Sequence, residues 1–292
     1  MIGVDWGTSS FRAYRFDPAD RIVARVEAAR GIMTVAAGEF PAVLRGQVGA
    51  WLDDGERRVL MCGMVGSRQG WQEAAYLPCP ASAQDIAATL SRVAFDGAEV
   101  LLVPGLSDRD AAGVPEVMRG EETQLIGTLS AMTSGGLACL PGSHSKWARI
   151  EAGRIASFST FLSGEAFAAI RGNTILSRMM RDAPHDPAAF ARGVDRSGQG
   201  GHLLHQLFGV RTLGLFGELS ETASASYLSG LLIGAEVRAA MTEGATVLLI
   251  GATALCALYA SAIVACGGTA QVAHEDAAAL GLASIGRSAA WL

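Results

Sequence analysis

The sequence predicts an α/β protein built from two halves with matching openings, and three observations carry that expectation. Residues 1–16, MIGVDWGTSSFRAYRF, read as a strand, a tight polar turn and a second strand. Setting Gly7 over Gly142 aligns G-T-S-S-F-R-A-Y (7–14) with G-S-H-S-K-W-A-R (142–149), each after an apolar run, so one supersecondary unit is used twice. Late in the chain, TVLLIG followed by ATALCALYASAIVACG reads as a buried parallel strand, a glycine turn at Gly251 and a covering helix.

In order, the first half reads as strands at 1–5, 10–16 and 21–28, a helix near 41–52, and strands at 58–62 and 99–103: three hairpin strands, then α/β alternation. The segment GMVGSRQGWQEAAYLPCPAS (63–82) has no helical period and reads as an ordered loop lining a cleft. Residues 114–132 carry Gly120 at a helix start, acids in the first turn and apolar Leu125, Ile126 and Leu129, which predicts a bridging helix over 114–133. A second hairpin follows, turning at Glu151-Ala152-Gly153 into the alternating strand ASFSTF. Helices are then expected near 164–180, 200–208 and 222–241, and a last one near 275–288. The domains so defined are 1–113, the bridging helix, 134–274, and a C-terminal helix, 275–292, returning toward the first domain.

Composition removes several classes of function. The chain has 292 residues, 50% of them hydrophobic, which is enough for one large or two medium cores and excludes disorder. A net charge of −5 with no basic run argues against duplex nucleic acid. From Ala245 to Ala273 no charged residue occurs, a length sufficient to span a bilayer, but Gly251 and Thr253 divide it and neither flank is basic, so no membrane partner is expected. Five cysteines, 62, 79, 139, 256 and 266, form no C-x-x-C pair, and the chain opens on a strand with no signal peptide. Both features predict a reduced, cytoplasmic protein. His202 and His205 lie three apart without a third ligand, so no zinc site is expected.

The chemistry-bearing residues cluster in the two turns. Gly7-Thr8-Ser9-Ser10 offers backbone N–H groups and hydroxyls to an anion, and Asp5, at the end of the first strand, can hold a hydrated divalent cation beside it. Leu140 and Pro141 stand where Asp5 and Trp6 stand in the first copy, which implies one metal ion and not two. Of the 23 Lys and Arg residues, Lys146 alone is lysine, and it sits beside the second turn. A compact ammonium can follow a moving phosphoryl oxygen in a way a planar guanidinium cannot. A surface lysine pointing into water is the plain alternative.

Two hairpin-led α/β domains joined by a helix, with a late strand-glycine-helix unit, resemble the superfamily of actin, hexokinase and the heat-shock ATPases. That resemblance implies two actin/hexokinase-like (ribonuclease H-like) domains with an interdomain nucleotide cleft. Within it, DWGTSSFR, GMVGSRQGW followed by YLPCPA, MRGEETQ, LPGSHSKW and ASYLSGLLIG resemble the 2-dehydro-3-deoxygalactonokinase family, and the likeness runs through almost the whole chain. It implies transfer of the ATP γ-phosphoryl group to the terminal hydroxyl of 2-dehydro-3-deoxy-D-galactonate, with Mg2+, in galactonate catabolism.

The site residues follow as what this resemblance implies. Asp5 takes Mg2+ through water, and Gly7, Thr8, Ser9 and Ser10 lie at the γ-phosphate. Gly142, Ser143, His144 and Lys146 lie at the β-phosphate, and Gly251, Ala252 and Thr253 under the adenosine. MRGEETQLIG also resembles the bridging-helix motif GEEEARLI of the exopolyphosphatases, whose first acid, matching Glu121, is placed at the reacting phosphate. Glu121 is therefore the expected base and Glu122 the second choice, since a helix turns about 100° per residue and cannot aim both at one point. Arg68, then Arg12, are the expected partners of the sugar carboxylate, and Trp71 and Tyr76 the expected stacking surfaces, although an aromatic in such a loop often packs the loop down.

Three alternatives keep a place. One is a phosphohydrolase of the exopolyphosphatase type, another a kinase of a related 2-keto-3-deoxy sugar acid, and the third a non-catalytic nucleotide-dependent module like actin. Oligomeric state is left open, a homodimer included.

Overall fold

A computed structural model of the chain describes residues 1–291 and divides it into two compact units. The first comprises Met1–Gly136, Ala148–Phe158 and the chain from His274 onward; the second comprises Leu137–Trp147 and Ser159–Ala273.

The first unit begins with β1 (Ile2–Trp6), β2 (Phe11–Phe16), β3 (Ile22–Ala28), α1 (Phe40–Asp53) and β4 (Arg58–Cys62). It continues through β5 (Tyr76–Pro78), α2 (Ala83–Ala87), β6 (Ser91–Val93), β7 (Glu99–Leu102), β8 (Gly105–Arg109), β9 (Pro115–Met118) and α3 (Glu121–Thr128). Its main sheet is six-stranded, in the order β3-β2-β1-β4-β7-β6. β1 to β3 form an antiparallel meander, and β4 and β7 run parallel to β1, so the expected hairpin opening and the following α/β alternation share one sheet. The apolar side chains of β1 explain its central place: Ile2, Val4 and Trp6 are fully buried, with Trp6 edge-on to Phe11 at 4.9 Å.

The segment 114–133 is not one helix. Residues Pro115–Met118 form β9, paired antiparallel with β8, and β5-β8-β9 make a separate three-stranded sheet. The helix starts at Glu121, with Gly120 as its N-cap, and gives way after Thr128 to a 3-10 turn, Leu129–Ala131. The chain turns back at Asp110, which accepts from the N–H groups of Ala112 and Val114, and this sets residues 115–118 beside β8 as a strand.

The second unit takes in most of β10 (Gly136–Leu140), the start of β11 (Ser145–Glu151) and the end of β12 (Arg154–Phe161), whose residues 148–158 belong to the first unit, and then α4 (Ser163–Asn173), α5 (Pro187–Ser197), α6 (Leu203–Leu215) and α7 (Ser224–Ala240). β13 (Thr246–Leu249), α8 (Thr253–Ala265) and β14 (Thr269–Val272) complete it, and α9 (Ala277–Ser288) lies in the first unit, packed on α3. The second sheet is five-stranded, in the order β12-β11-β10-β13-β14, with β13 parallel to both β10 and β14. The charge-free stretch is the expected buried strand and covering helix: Val247, Leu249, Cys256, Tyr259 and Ile263 join one core cluster. No helix among the described residues is long and apolar enough to cross a membrane.

Two of the expected helices shift. The one expected over 164–180 ends at Asn173 and is followed by a 3-10 turn, Ile175–Met179; the one expected at 200–208 is α6, Leu203–Leu215. β5, α2, β6, the β8–β9 hairpin, α5 and β14 lie outside the elements that the sequence pattern predicts.

Candidate active site

In the first unit the acids meet at the carboxyl ends of the central strands. Asp5 pairs in register with Arg12 across the β1–β2 hairpin, their charged groups 3.9 Å apart, and with Cys62 across the parallel β1–β4 pair. Burial raises the Asp5 pKa above the ordinary carboxylate value; Arg12 pulls it down and the Glu121 carboxylate pushes it up again. Burial likewise drives the Cys62 thiol well above its usual range, helped by Asp5 and Glu122, which disfavours the thiolate there.

Two glycines make this convergence sterically feasible. Gly63, directly after β4, has φ +91, and a Cβ there would lie 2.8 Å from the Trp6 carbonyl oxygen and 3.3 Å from Asp5 Oδ1. Gly120, with φ +105, would place a Cβ 3.2 Å from Gly63 Cα. Only residues without side chains let the start of α3 close onto the end of β4 beside Asp5.

The two adjacent acids of α3 then separate by environment. Glu122 is fully buried, its carboxyl accepting from the Gly120 N–H at 2.6 Å and from the Thr123 hydroxyl at 2.9 Å. Burial, with the neighbouring Glu121 charge adding to it, pushes its pKa up to about 8. Glu121 stays partly exposed and accepts from the Arg119 N–H at 3.0 Å. It is the member of the pair whose charge is felt at Asp5.

The polar turn beside these acids is closed by the Gly7 N–H donating to the Ser10 carbonyl at 2.9 Å and braced by donors from Ile32 and Met33 to the Gly7 and Thr8 carbonyls. Thr8 and Ser9 are exposed and Ser10 is half-buried.

The residues expected at the sugar are placed unevenly. Arg68 is 86% exposed and pairs loosely with Glu73 at 3.5 Å. Trp71 packs the loop inward, stacked on Phe40 at 6.2 Å and edge-on to Phe95 at 6.1 Å. Tyr76 is 41% exposed, and the Arg119 guanidinium lies over its ring at 4.4 Å while donating to the Ala74 carbonyl at 2.7 Å. Arg119, itself 8% exposed, was missed by sequence reasoning although it directly precedes the glycine and acids of MRGEETQ.

In the second unit, the turn Pro141-Gly142-Ser143-His144 is tied to the start of α4 by the Glu165 N–H donating to the Ser143 carbonyl at 3.0 Å, and His144 Nε2 lies 2.5 Å from Glu165 Oε2. Lys146 is buried, 5% exposed, and donates to the Thr160 hydroxyl across the β11–β12 hairpin at 2.9 Å, so it is not a surface lysine. Gly142 and Ser143 line one wall of a cavity of about 660 Å³; Ala252 and Leu255, at the start of α8, line another, and Phe167, Arg171 and His185 also border it. Two segments singled out separately in the sequence, 142–143 and Ala252, therefore open on one cavity. Its volume lies in the range of small-molecule and cofactor sites. His144, Gly251 and Thr253 flank these positions in the chain without bordering the cavity.

A hairpin-led mixed sheet with acids at its strand ends, and a second unit whose own hairpin turn borders a cavity, define a protein of the actin and hexokinase fold. A Porphyromonas gingivalis protein described as an N-acetylglucosamine kinase shares that fold at 12% identity, with a TM-score of 0.50 over 98% of both chains. The particular family is plain from closer comparisons. The chain belongs to the 2-keto-3-deoxy-galactonokinase family, whose model matches residues 5–285. It is 36% identical to a probable 2-dehydro-3-deoxygalactonokinase of Rhizobium meliloti (strain 1021), over 99% of this chain and 96% of that one. It is 33% identical to the 2-dehydro-3-deoxygalactonokinase of Escherichia coli (strain K12), over 99% and 98%. The crystal structure of a Sinorhizobium meliloti protein described as a 2-dehydro-3-deoxygalactonokinase superposes with a TM-score of 0.91 at 35% identity, covering 98% of each chain.

Proposed function

We propose that this protein is an ATP-dependent kinase that phosphorylates the 6-hydroxyl of 2-dehydro-3-deoxy-D-galactonate in galactonate catabolism, acting in the cytoplasm. The observation that carries the reading is the cavity of the second unit, where the turn expected at the nucleotide phosphates and the turn expected under the adenosine share one space. The family match supplies the substrate class.

Phosphoryl transfer asks the protein chiefly for positioning and charge stabilisation. In this reading Glu121 accepts the proton of the sugar 6-hydroxyl as the oxygen bonds to the γ-phosphorus, the bond from that phosphorus to the β,γ-bridging oxygen breaks, and ADP leaves. Glu122 is the poorer base because, with a pKa of about 8, it carries a proton at neutral pH. Thr8, Ser9 and Ser10 donate to the γ-phosphate, Gly142, Ser143 and Lys146 to the β-phosphate, and Arg68 with Arg12 takes the sugar carboxylate.

Mg2+ fits the donor set of the first unit. Asp5 and Glu121 are oxygen donors, the Glu121 charge raises the cost of ionising Asp5, and Arg12, half-exposed, offsets part of that cost. Mg2+ keeps several waters and takes one or two carboxylates, which is the donor type that Asp5 offers. Asp5 would hold it, and the ion would neutralise charge on the phosphate oxygens.

The test is a coupled assay of the full chain with ATP and Mg2+ against a panel of 2-keto-3-deoxy sugar acids, with ATP alone as the control. Turnover is expected with the galactonate-derived acid and little without an acceptor. Rapid ATP hydrolysis without an acceptor would favour a phosphohydrolase, and preference for the gluconate-derived acid would move the substrate assignment.

A further inference from the structure

Behind the second unit's turn lies a buried carboxylate for which the phosphoryl-transfer scheme has no use. Glu236, on α7, is 3% exposed. Trp147 Nε1 donates to its Oε1 at 2.8 Å and the Tyr259 hydroxyl to its Oε2 at 2.9 Å, and the Ser145 and Ser163 hydroxyls also hydrogen-bond to it. Ser145 Oγ is in turn 2.8 Å from the Tyr259 hydroxyl.

These partners come from elements that frame the cavity. Ser145 and Trp147 are two apart on β11, hence on one face of the strand, while Lys146 between them points to the other face and reaches Thr160. Ser145 immediately follows the turn 141–144. Ser163 opens α4, which is fastened to that turn through Ser143, and Tyr259 sits on α8; Ser163 and Tyr259 both border the cavity. Glu236, Ser145 and Trp147 do not border it.

A carboxylate is the side chain that accepts several hydrogen bonds and donates none, and buried charge is tolerated when its lone pairs are filled. Burial raises the Glu236 pKa, and its donors from Ser163, Trp147, Tyr259 and Ser145 pull it back. An amide has one oxygen for the same donors and brings two N–H groups of its own, so the residue type matters.

We propose that Glu236 is a positioning residue for nucleotide binding, holding the turn 141–144, the start of α4 and the Tyr259 wall of the cavity in one arrangement without touching the ligand. The proposal rests on the reading that this cavity holds the nucleotide. It assigns a task to a polar network that a solely apolar interface between α7, α8 and β11 would not need.

The test measures ADP affinity by calorimetry on the full chain, together with melting temperature and KM for ATP and for the sugar acid, in Glu236→Gln, Ser145→Ala, Trp147→Phe and Ala225→Phe. Ala225 borders the cavity, so the last variant fills it. Glu236→Gln is expected to weaken ADP about tenfold or more and to raise KM for ATP while KM for the sugar acid stays within about twofold. Ser145→Ala and Trp147→Phe, each removing one donor, are expected to weaken ADP by about threefold or more in the same pattern. A merely structural role would lower the melting temperature and the active fraction but leave both affinities of the folded protein unchanged, and that result overturns the proposal. If Glu236→Gln does not fold, Ser145→Ala and Trp147→Phe decide on the same criterion. If Ala225→Phe leaves ADP affinity intact, the cavity reading itself fails; if Ala225→Phe abolishes binding while the network variants bind normally, only the role of Glu236 fails.

Discussion

Glu122 makes the pH dependence of stability a direct test of the acid site. Its pKa is pushed up from an ordinary value of 4.5 to about 8 by burial first and by the Glu121 charge second. Below about pH 4.5 both folded and unfolded chains hold the proton, and nothing is lost. Between that value and about 8, the unfolded chain releases its proton while the folded chain keeps it, so folding stability falls as pH rises. At about 1.4 kcal/mol per pH unit across that window, the loss sums to roughly 5 kcal/mol by pH 8 as an upper bound. Glu122→Gln removes the titration and keeps the geometry: the amide oxygen can accept from the Gly120 N–H, and the amide nitrogen can donate to the Thr123 hydroxyl, which rotates to accept. Urea denaturation of both proteins from about pH 5.5 to 8.5 should show the variant gaining on the wild type by about 1 kcal/mol per pH unit. Asp5, also raised by burial, contributes the same sign in both proteins and cancels in the difference. Parallel curves would refute the assignment of a neutral, buried acid to Glu122.

Other outcomes follow from the same geometry. Glu121→Gln should lower kcat by about two to four orders of magnitude while ADP affinity is kept; near-normal turnover would remove it as the base. Gly63→Ala forces a Cβ to 2.8 Å from the Trp6 carbonyl at a φ of +91, so it should cost about 2 kcal/mol or more in denaturant midpoint experiments and displace Asp5. Arg68→Ala should raise KM for the sugar acid far more than KM for ATP, since its exposed pair with Glu73 contributes little to folding; equal changes in both would point to a loop role. Trp71→Ala should destabilise the first unit by about 2–4 kcal/mol through loss of its contacts with Phe40 and Phe95, read as a drop in melting temperature.

What could be read in advance was what the chain writes locally. The two turns, the glycine start of α3, and the strand-helix unit at 246–265 are each encoded within a few residues: a hydroxyl-rich turn, a glycine followed by acids, an apolar run broken by Gly251. The start of α5 is also written locally. Asp186 caps α5 by accepting from the N–H groups of Ala188 and Ala189, with Pro187 at the first helical position, a start signal present in the sequence itself. Other features exist only in the fold. The proximity of Asp5 and Cys62 comes from parallel pairing of β1 with β4, and the stacking of Arg119 on Tyr76 comes from a loop closing on a residue far along the chain. Trp71 illustrates the limit: its place in a Gly-rich loop leaves open whether the ring serves the substrate or the core, and packing against Phe40 and Phe95 puts it on the core side.

The arrangement of acids explains why two consecutive glutamates serve better than one. Three carboxyl groups, those of Asp5, Glu121 and Glu122, share the carboxyl ends of the first unit's strands, and ionising all of them in that partly dehydrated space would be costly. Full burial and the neighbouring Glu121 charge keep the proton on Glu122 against the pull of its two donors, and the hydrogen bond it accepts from the Gly120 N–H fixes the turn there. That turn holds the first residue of α3 against Gly63, beside Asp5. The remaining charge is then divided between Asp5, tempered by Arg12, and Glu121, partly open to solvent. A buried acid that shapes the turn and a partly exposed one are thus drawn from the same dipeptide, and the second is the one proposed above as the base, the difference set by burial and not by residue type.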